Sequence, residues 1–303
     1  MPIPDFQEIT LPLLKLSGDQ NDHTLPETEE ALANFFQLTQ EERVEMLPSG
    51  TQRRFANRVA WAKVYLTKAG LLLSPRRSVY RISQSGLDLL KNPPPHISVS
   101  FLKEHYKEIR EFLKPSKDNG QTEVTSAGES STTPRETLEA AYEVLRKQLV
   151  QEVLDRVKQT TPRYFEELVV DLLVGMGYGG TLSDAGRATQ FTNDEGIDGV
   201  IKQDKLGLDV IYVQAKKYTD KVVGRPDVQA FVGALDGKHA NKGVFITTSR
   251  FADSAITYAR DISKKVVLID GEQLANYMID YNLGVSTSAT FTLKRIDNDY
   301  FED

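Results

Sequence analysis

Asn193-Asp194-Glu195-Gly196-Ile197-Asp198-Gly199-Val200-Ile201, followed by Val210-Ile211-Tyr212-Val213-Gln214-Ala215-Lys216-Lys217, says most about this chain's architecture. Both segments read as strands joined by a tight turn. Strand side chains alternate faces, so Val210, Tyr212, Gln214 and Lys216 share one face and Ile211, Val213 and Ala215 the other. The second set is apolar and suits a core. The first ends in Gln and Lys, and a Lys inside an apolar strand needs a partner such as a carboxylate. If Lys205-Leu206-Gly207 forms a three-residue loop with Gly207 in the left-handed position, Asp204 faces Leu208 and Asp198 faces Gln214. Cross-strand partners share a face, so Asp198, Gln214 and Lys216 converge, with Glu166 able to approach from a neighbouring helix. A four-residue loop would turn Asp198 to the opposite face and remove the site.

That convergence has chemical meaning. Asp198 with one more oxygen donor suits Mg²⁺, which takes hard oxygen ligands and keeps several waters. Such an ion activates water and stabilises charge on a phosphate under attack. Lys216 would orient the water or stabilise the developing negative charge. The competing reading is a polar cluster that closes a sheet edge.

Around this pair the chain alternates helix and strand. Thr161-Pro162 opens a helix with a capping side chain and Pro at the first position. Phe165, Leu168, Val169, Leu172, Leu173 and Met176 form its core stripe. Gly175-Met-Gly177-Tyr-Gly179-Gly180 matches G-x-G-x-x-G but follows a helix, so it reads as a helix stop and loop. Gly233 to Lys238 fails as a P-loop. After the Lys strand, Pro226–Leu235 reads as a helix, Gly243–Thr248 as a strand, Ala252–Asp261 as a helix, Val266–Asp270 as a strand and Gln273–Asp280 as a helix. The expected product is a mixed sheet flanked by helices.

Upstream, residues 115–134 are rich in Ser, Thr, Gly and Pro and cannot offset the entropy of ordering, so a tether is expected there. Pro134 to Gln159 reads as a long helix with Leu138, Ala141, Tyr142, Leu145, Leu149, Val153 and Val157 on one side. This stripe could be a dimer seam, but packing on its own domain is the preferred reading. Before the tether the pattern is mostly helical: Phe6 to Leu16 around Pro12, Thr28 to Phe36, a short helix opened by the capping-box pattern Thr39-x-x-Glu42, and Arg53 to Ala69 stopped by Gly70. Leu71–Leu73 and Val79–Ile82 form a hairpin, and Ser83–Leu90 a closing helix. Residues 98–113 read as one short helix without an assigned role. Helices, a basic helix and a hairpin with an Arg76-Arg77 tip make the layout of a winged helix, whose basic helix would enter a major groove. A helical protein-interaction module is the alternative.

Composition bounds these readings. At 303 residues, about 150 per domain, two domains are expected. The net charge is −6, yet residues 1–50 hold ten acids and two bases, while residues 51–91 hold nine bases and one acid. That basic block includes Arg53, Arg54, Arg58, Lys63, Arg76 and Arg77, the candidate DNA contacts. Cysteine is absent, which excludes disulfides, thiolate metal sites and a Cys nucleophile. The four His are scattered, so a zinc hydrolase is not expected. No apolar run reaches the roughly 18 residues of a membrane helix, and the N-terminus is not a secretory signal, so a soluble cytoplasmic protein is expected.

The ordered motifs resemble the Mrr-type restriction endonucleases of the PD-(D/E)XK nuclease superfamily. They are Phe165-Glu166, Met176-Gly177-Tyr178, Asp194-Glu195-Gly196-Ile197-Asp198-Gly199, Val213-Gln214-Ala215-Lys216, Gly243-Val244-Phe245-Ile246-Thr247-Thr248-Ser249 and Leu268-Ile269-Asp270-Gly271. The likeness covers residues 136–303, and the N-terminal part looks like the family's winged-helix domain. The resemblance implies an α/β (α+β overall) chain: winged helix at 1–92, helix and linker at 93–135, and catalytic domain at 136–303. It implies a type IV enzyme that cleaves foreign, methylated double-stranded DNA with Mg²⁺. Asp198, Gln214 and Lys216 would be its active-site triad and Glu166 a supplement, with Asp198 and Gln214 facing the metal. Gln214 stands where the wider superfamily has an acid. Glu195 departs from the family, which usually has Gly there. Arg225-Pro226 and Gln229 could face DNA. Two alternatives remain, a DNA-binding regulator with a nuclease-like assembly domain and a repair nuclease of the same fold. Cutting both strands takes two active sites, so a homodimer or higher oligomer is expected.

Overall fold

The structure is a computed structural model that describes residues 2–76, 78–113, 131–179, 196–204, 206–294, 296 and 300. Arg77, Gly180, Asn193, Asp194, Glu195, Lys205 and most of the expected tether lie outside the described residues. The chain divides into two compact units, Met1–Val144 and Leu145–Asp303.

The first unit begins with α1 (Phe6–Leu16), closed at its start by an Asp5–Glu8 capping box. Pro12 sits inside this helix without ending it, because Phe6, Ile9, Leu13 and Leu14 are almost wholly buried and hold the helix against the core. Each such side chain contributes about 1.5–3 kcal/mol, comparable to the roughly 3 kcal/mol an interior proline costs. The two-residue strand β1 (His23–Thr24) leads into α2 (Leu25–Phe35), which starts earlier than the apolar pattern suggests. Thr24 and Glu27 form its capping box, with Pro26 in the first turn. The Thr39–Glu42 box opens α3 (Gln40–Val44) as expected. The basic helix is α4 (Arg54–Lys68), followed by β2 (Leu72–Arg76), β3 (Val79–Ile82) and α5 (Gln84–Lys91). The strands order β1-β3-β2, with both pairings antiparallel. Helix, strand, helices, basic helix and hairpin together form a winged helix.

Residues 98–113 form two helices, α6 (Val99–His105) and α7 (Lys107–Phe112), broken at Tyr106, whose backbone is extended. Ile97, Val99, Leu102 and Ile109 are fully buried in the core of the first unit, so this segment is part of the winged-helix body.

The long helix α8 (Pro134–Gln159) has the expected bounds, and the boundary between the units falls inside it. Its apolar stripe is split in use. Val153 and Val157 are buried in the second core, whereas Leu138, Tyr142, Leu145 and Leu149 are exposed. α9 (Pro162–Gly175) follows, then β4 (Gly199–Lys202), β5 (Val210–Lys216), α10 (Arg225–Gly237), β6 (Lys242–Thr247), α11 (Asp253–Asp261), β7 (Lys265–Ile269) and α12 (Gly271–Asp280). The sheet order is β4-β5-β6-β7, antiparallel at β4–β5 and parallel beyond, as the helix–strand alternation predicts. α8, α9 and α12 cover one face, over Ile211, Val213, Val244, Ile246 and Ile269. α10 and α11 cover the other, where Phe231, Phe245 and Phe251 make edge-on ring contacts. No helix among the described residues is long and apolar enough to cross a membrane.

Candidate active site

The β4–β5 register places the site. Gly199 pairs with Val213 and Lys202 with Val210, which sets Asp198 across from Gln214 and Asp204 across from Leu208. The three-residue loop predicts this register. Gly207 adopts a left-handed φ of 69°, and its amide and that of Leu206 both donate to Asp204 Oδ1 at 2.8 Å. The turn chemistry thus fixes which face Asp198 takes.

Asp198 is clamped on both sides of Gln214. Its amide donates to the Val213 carbonyl at 2.9 Å. Its Oδ2 accepts from the Ala215 amide at 2.7 Å. Burial pushes the Asp198 carboxyl above the usual aspartate range, and neither the Ala215 hydrogen bond nor the Lys216 ammonium cancels that effect. Glu166, near the start of α9, is also pushed up, first by burial and then by the charges of Asp198 and Glu167, with Arg163 opposing. These electrostatic couplings bring Glu166, Asp198 and Lys216 into one neighbourhood. Gln214 is 4 % exposed, and its Oε1 has no hydrogen-bond partner among the described residues. A buried acceptor left open costs about 1–3 kcal/mol and calls for a function.

Two threonines that sequence reasoning assigned no role complete the strand end. Thr247 is fully buried, pairs with Lys216 across β5–β6, and its hydroxyl donates to the Lys216 carbonyl at 2.7 Å. The Thr248 hydroxyl donates to the Tyr218 carbonyl at 2.7 Å and accepts from the Tyr218 amide at 2.9 Å. The pair locks the backbone that carries Lys216. Their signal was two hydroxyls at the end of an otherwise apolar strand. Beyond it, Arg225 and Gln229 are exposed, and the Arg225 guanidinium lies 5.1 Å from the Tyr258 ring centre.

The candidate DNA contacts of the first unit are held unequally. Arg76, on the hairpin, is 71 % exposed and touches Asp22 at 3.3 Å. Arg53 is half-exposed and pairs with Glu29 at 2.9 Å. Lys63 lies 5.8 Å from the Tyr80 ring centre, and burial pushes its amine below the usual lysine range. Arg54 and Arg58 are drawn inward, both onto Glu136, at 3.1 and 2.8 Å.

A winged helix in one unit and, in the other, a mixed sheet bearing Asp198, Gln214 and Lys216 at one strand end fit the architecture of an endonuclease. A "Restriction endonuclease" family model matches residues 157–278, and the "Mrr N-terminal domain" model matches residues 6–92. The chain is 36 % identical over 313 residues to the type IV methyl-directed restriction enzyme EcoKMrr of Escherichia coli (strain K12), covering all of both chains. The chain belongs to the Mrr family of restriction endonucleases. Among solved structures it is similar to the DNA modification-dependent restriction endonuclease AspBHI, at 21 % identity and a TM-score of 0.36, covering 46 % of this chain and 36 % of that one. It is also similar to the MspJI restriction endonuclease, solved in complex with a 27-mer oligonucleotide. There the identity is 23 % and the TM-score 0.29, covering 54 % of this chain and 36 % of that one.

Proposed function

We propose that this chain is a modification-dependent restriction endonuclease that hydrolyses phosphodiester bonds of methylated double-stranded DNA with Mg²⁺. The observation that carries the reading is the buried, open Oε1 of Gln214 directly across from the Asp198 carboxylate. Two oxygen acceptors presented together suit a hard cation. Asp198 and Gln214 would hold Mg²⁺, which when bound supplies charge for the phosphate under attack and a more acidic water. Lys216, whose backbone Thr247 holds and whose charge acts on Asp198, would stabilise negative charge on the reacting phosphate. Glu166, with its carboxyl raised, supplements the site as a group able to take a proton.

In this reading the first unit, residues 1–92 together with the segment around residues 97–109 that packs into the same core, binds the duplex, and the second unit, from Leu145, cuts it; the expected joining segment 93–135 and the expected domain start at 136 are both revised by this division. Arg53, Arg54, Arg58, Lys63, Arg76 and Arg77 are the proposed phosphate contacts. The methyl-directed relative supports methylated DNA as the substrate. Double-strand cutting calls for a homodimer. The exposed row Leu138, Tyr142, Leu145 and Leu149, spaced four, three and four residues apart, is the seam pattern of paired helices.

The test is cleavage of matched methylated and unmethylated plasmids with Mg²⁺, beside Lys216→Ala. Metal-dependent cutting of methylated DNA alone, lost in the variant, is expected. Equal cutting of both plasmids would make it a repair nuclease. Binding without cutting would make it a regulator.

A further inference from the structure

α4 offers DNA almost no free surface. From Arg54 to Thr67 none of its residues is exposed. At its N-terminal end the covering element is the first turn of α8, contacted entirely within the first unit. Glu136 Oε1 accepts from Arg58 Nε at 3.0 Å, Arg58 Nη2 at 2.8 Å and Arg54 Nη1 at 3.1 Å, while Oε2 accepts from the Thr133 amide at 2.9 Å. Arg58 Nη1 also donates to the carbonyls of Ile3 and Pro4, at 2.7 and 3.0 Å. The Glu136 side chain is 4 % exposed.

A second carboxylate repeats the pattern one turn on. Glu139 accepts from the Ser49 amide at 3.0 Å and the Ser49 hydroxyl at 2.7 Å, in the turn that precedes α4. Arg135 pairs with Glu139 and also reaches Thr51 and Gln52. The Thr133 hydroxyl donates to Asn57 Oδ1 at 2.6 Å. Guanidinium forks, a backbone amide in a turn and a serine hydroxyl are donors that proteins use for DNA phosphates. Here two carboxylates, three residues apart on one helix, already occupy them.

We propose that the first turn of α8 is an internal stand-in for DNA: Glu136 and Glu139 fill anion sites at Arg54–Arg58 and Ser49, and duplex phosphates displace them. The proposal rests on the DNA-binding reading of the first unit. It makes reading the duplex and freeing the start of α8 a single event. The acidic turn lowers apparent affinity by holding the reader closed, so only the open fraction binds.

Two measurements test this on the full chain, in EDTA so that no cutting occurs. The first is hydrogen exchange of the amides of residues 135–141, with and without a saturating methylated 30-base-pair duplex. Protection should fall at least tenfold on DNA. The second is the affinity of the double variant Glu136→Gln, Glu139→Gln at several salt concentrations. Binding should tighten at least tenfold at every salt concentration, with the slope of log K against log salt unchanged, because both forms end on the same phosphates. Unchanged or greater protection on DNA overturns the proposal. So does a folded double variant with wild-type affinity. If the variant does not fold, exchange on the wild-type chain decides. Arg76→Ala separates the two readings. Weaker binding in that variant beside unchanged exchange sinks the displacement but keeps DNA binding. No duplex binding by any form sinks both.

Discussion

Replacing Asp198 by Asn should abolish cleavage and, without metal, make the second unit more stable. The carboxyl is raised by burial, with the Ala215 hydrogen bond and Lys216 unable to compensate, so the folded state disfavours its ionised form. A raised acid contributes stability that is complete below its unfolded pKa and lost as pH rises through its folded pKa. At pH 8 the native protein carries that deficit in full and the Asn variant does not. Asn preserves the acceptor for the Ala215 amide. Burial outweighs the Ala215 hydrogen bond and Lys216, and solvent screening of this part-exposed carboxyl keeps the net penalty on the order of 1 kcal/mol or less. A net gain of roughly 0.5–1 kcal/mol raises Tm by about 1–4 °C in a unit of this size. The assay is thermal unfolding in EDTA at pH 8 and pH 4, then at pH 8 with 10 mM Mg²⁺. The gap should narrow as pH falls through the raised carboxyl's folded pKa toward its unfolded value. Mg²⁺ should stabilise the native protein and leave the variant unmoved, reversing the order. A variant less stable at pH 8 in EDTA, or a gap that ignores pH, would refute the reasoning.

Three further outcomes are expected. Arg58→Ala leaves Glu136 buried with its main partner gone, so the first unit should lose about 3 kcal/mol; the single tryptophan, Trp61 on α4, reports this in a urea titration, and an unshifted midpoint would contradict it. Gly271→Ala places a Cβ 2.5 Å from the Thr248 carbonyl oxygen, so stability should fall by about 1–3 kcal/mol and cleavage with it, because Thr248 holds the backbone after Lys216. Cleavage should fade, on acidification, at a pH above the ordinary aspartate value of about 3.9, because Asp198 and Glu166 are both raised and protonate early; a pH–rate profile flat down to pH 4 would oppose that assignment.

The catalytic half was legible because its decisive feature is local. The Asp204–Gly207 turn has its chemistry written in four consecutive residues, and a period of two then carries the register along both strands to Asp198 and Gln214. Capping works the same way, since Thr39 and Glu42 are three residues apart. The first unit was harder wherever partners are distant. Arg58 and Glu136 lie 78 residues apart, and an arginine's sequence neighbourhood does not say which of many carboxylates it will meet. A nine-base block therefore read as a free surface when two of its members are internal. β1 is two residues long and exists only because β3 offers it an edge. α6 and α7 read as one helix because a break at Tyr106 needs neither Pro nor Gly. Thr247 and Thr248 were visible in the sequence, but their partner is the backbone of a neighbouring strand, which carries no side-chain signature.

An amide at position 214 carries no charge at any working pH. With two carboxylates, Asp198 and Glu166, and the ammonium of Lys216 beside them, the proposed metal position carries one net negative charge before DNA arrives. One net charge holds a divalent ion weakly. The phosphate of a bound duplex restores the missing negative charge, so metal and DNA become mutually reinforcing ligands, each raising the other's affinity by the same factor. On the proposed reading, metal and duplex are taken up together, at the molecule about to be cut.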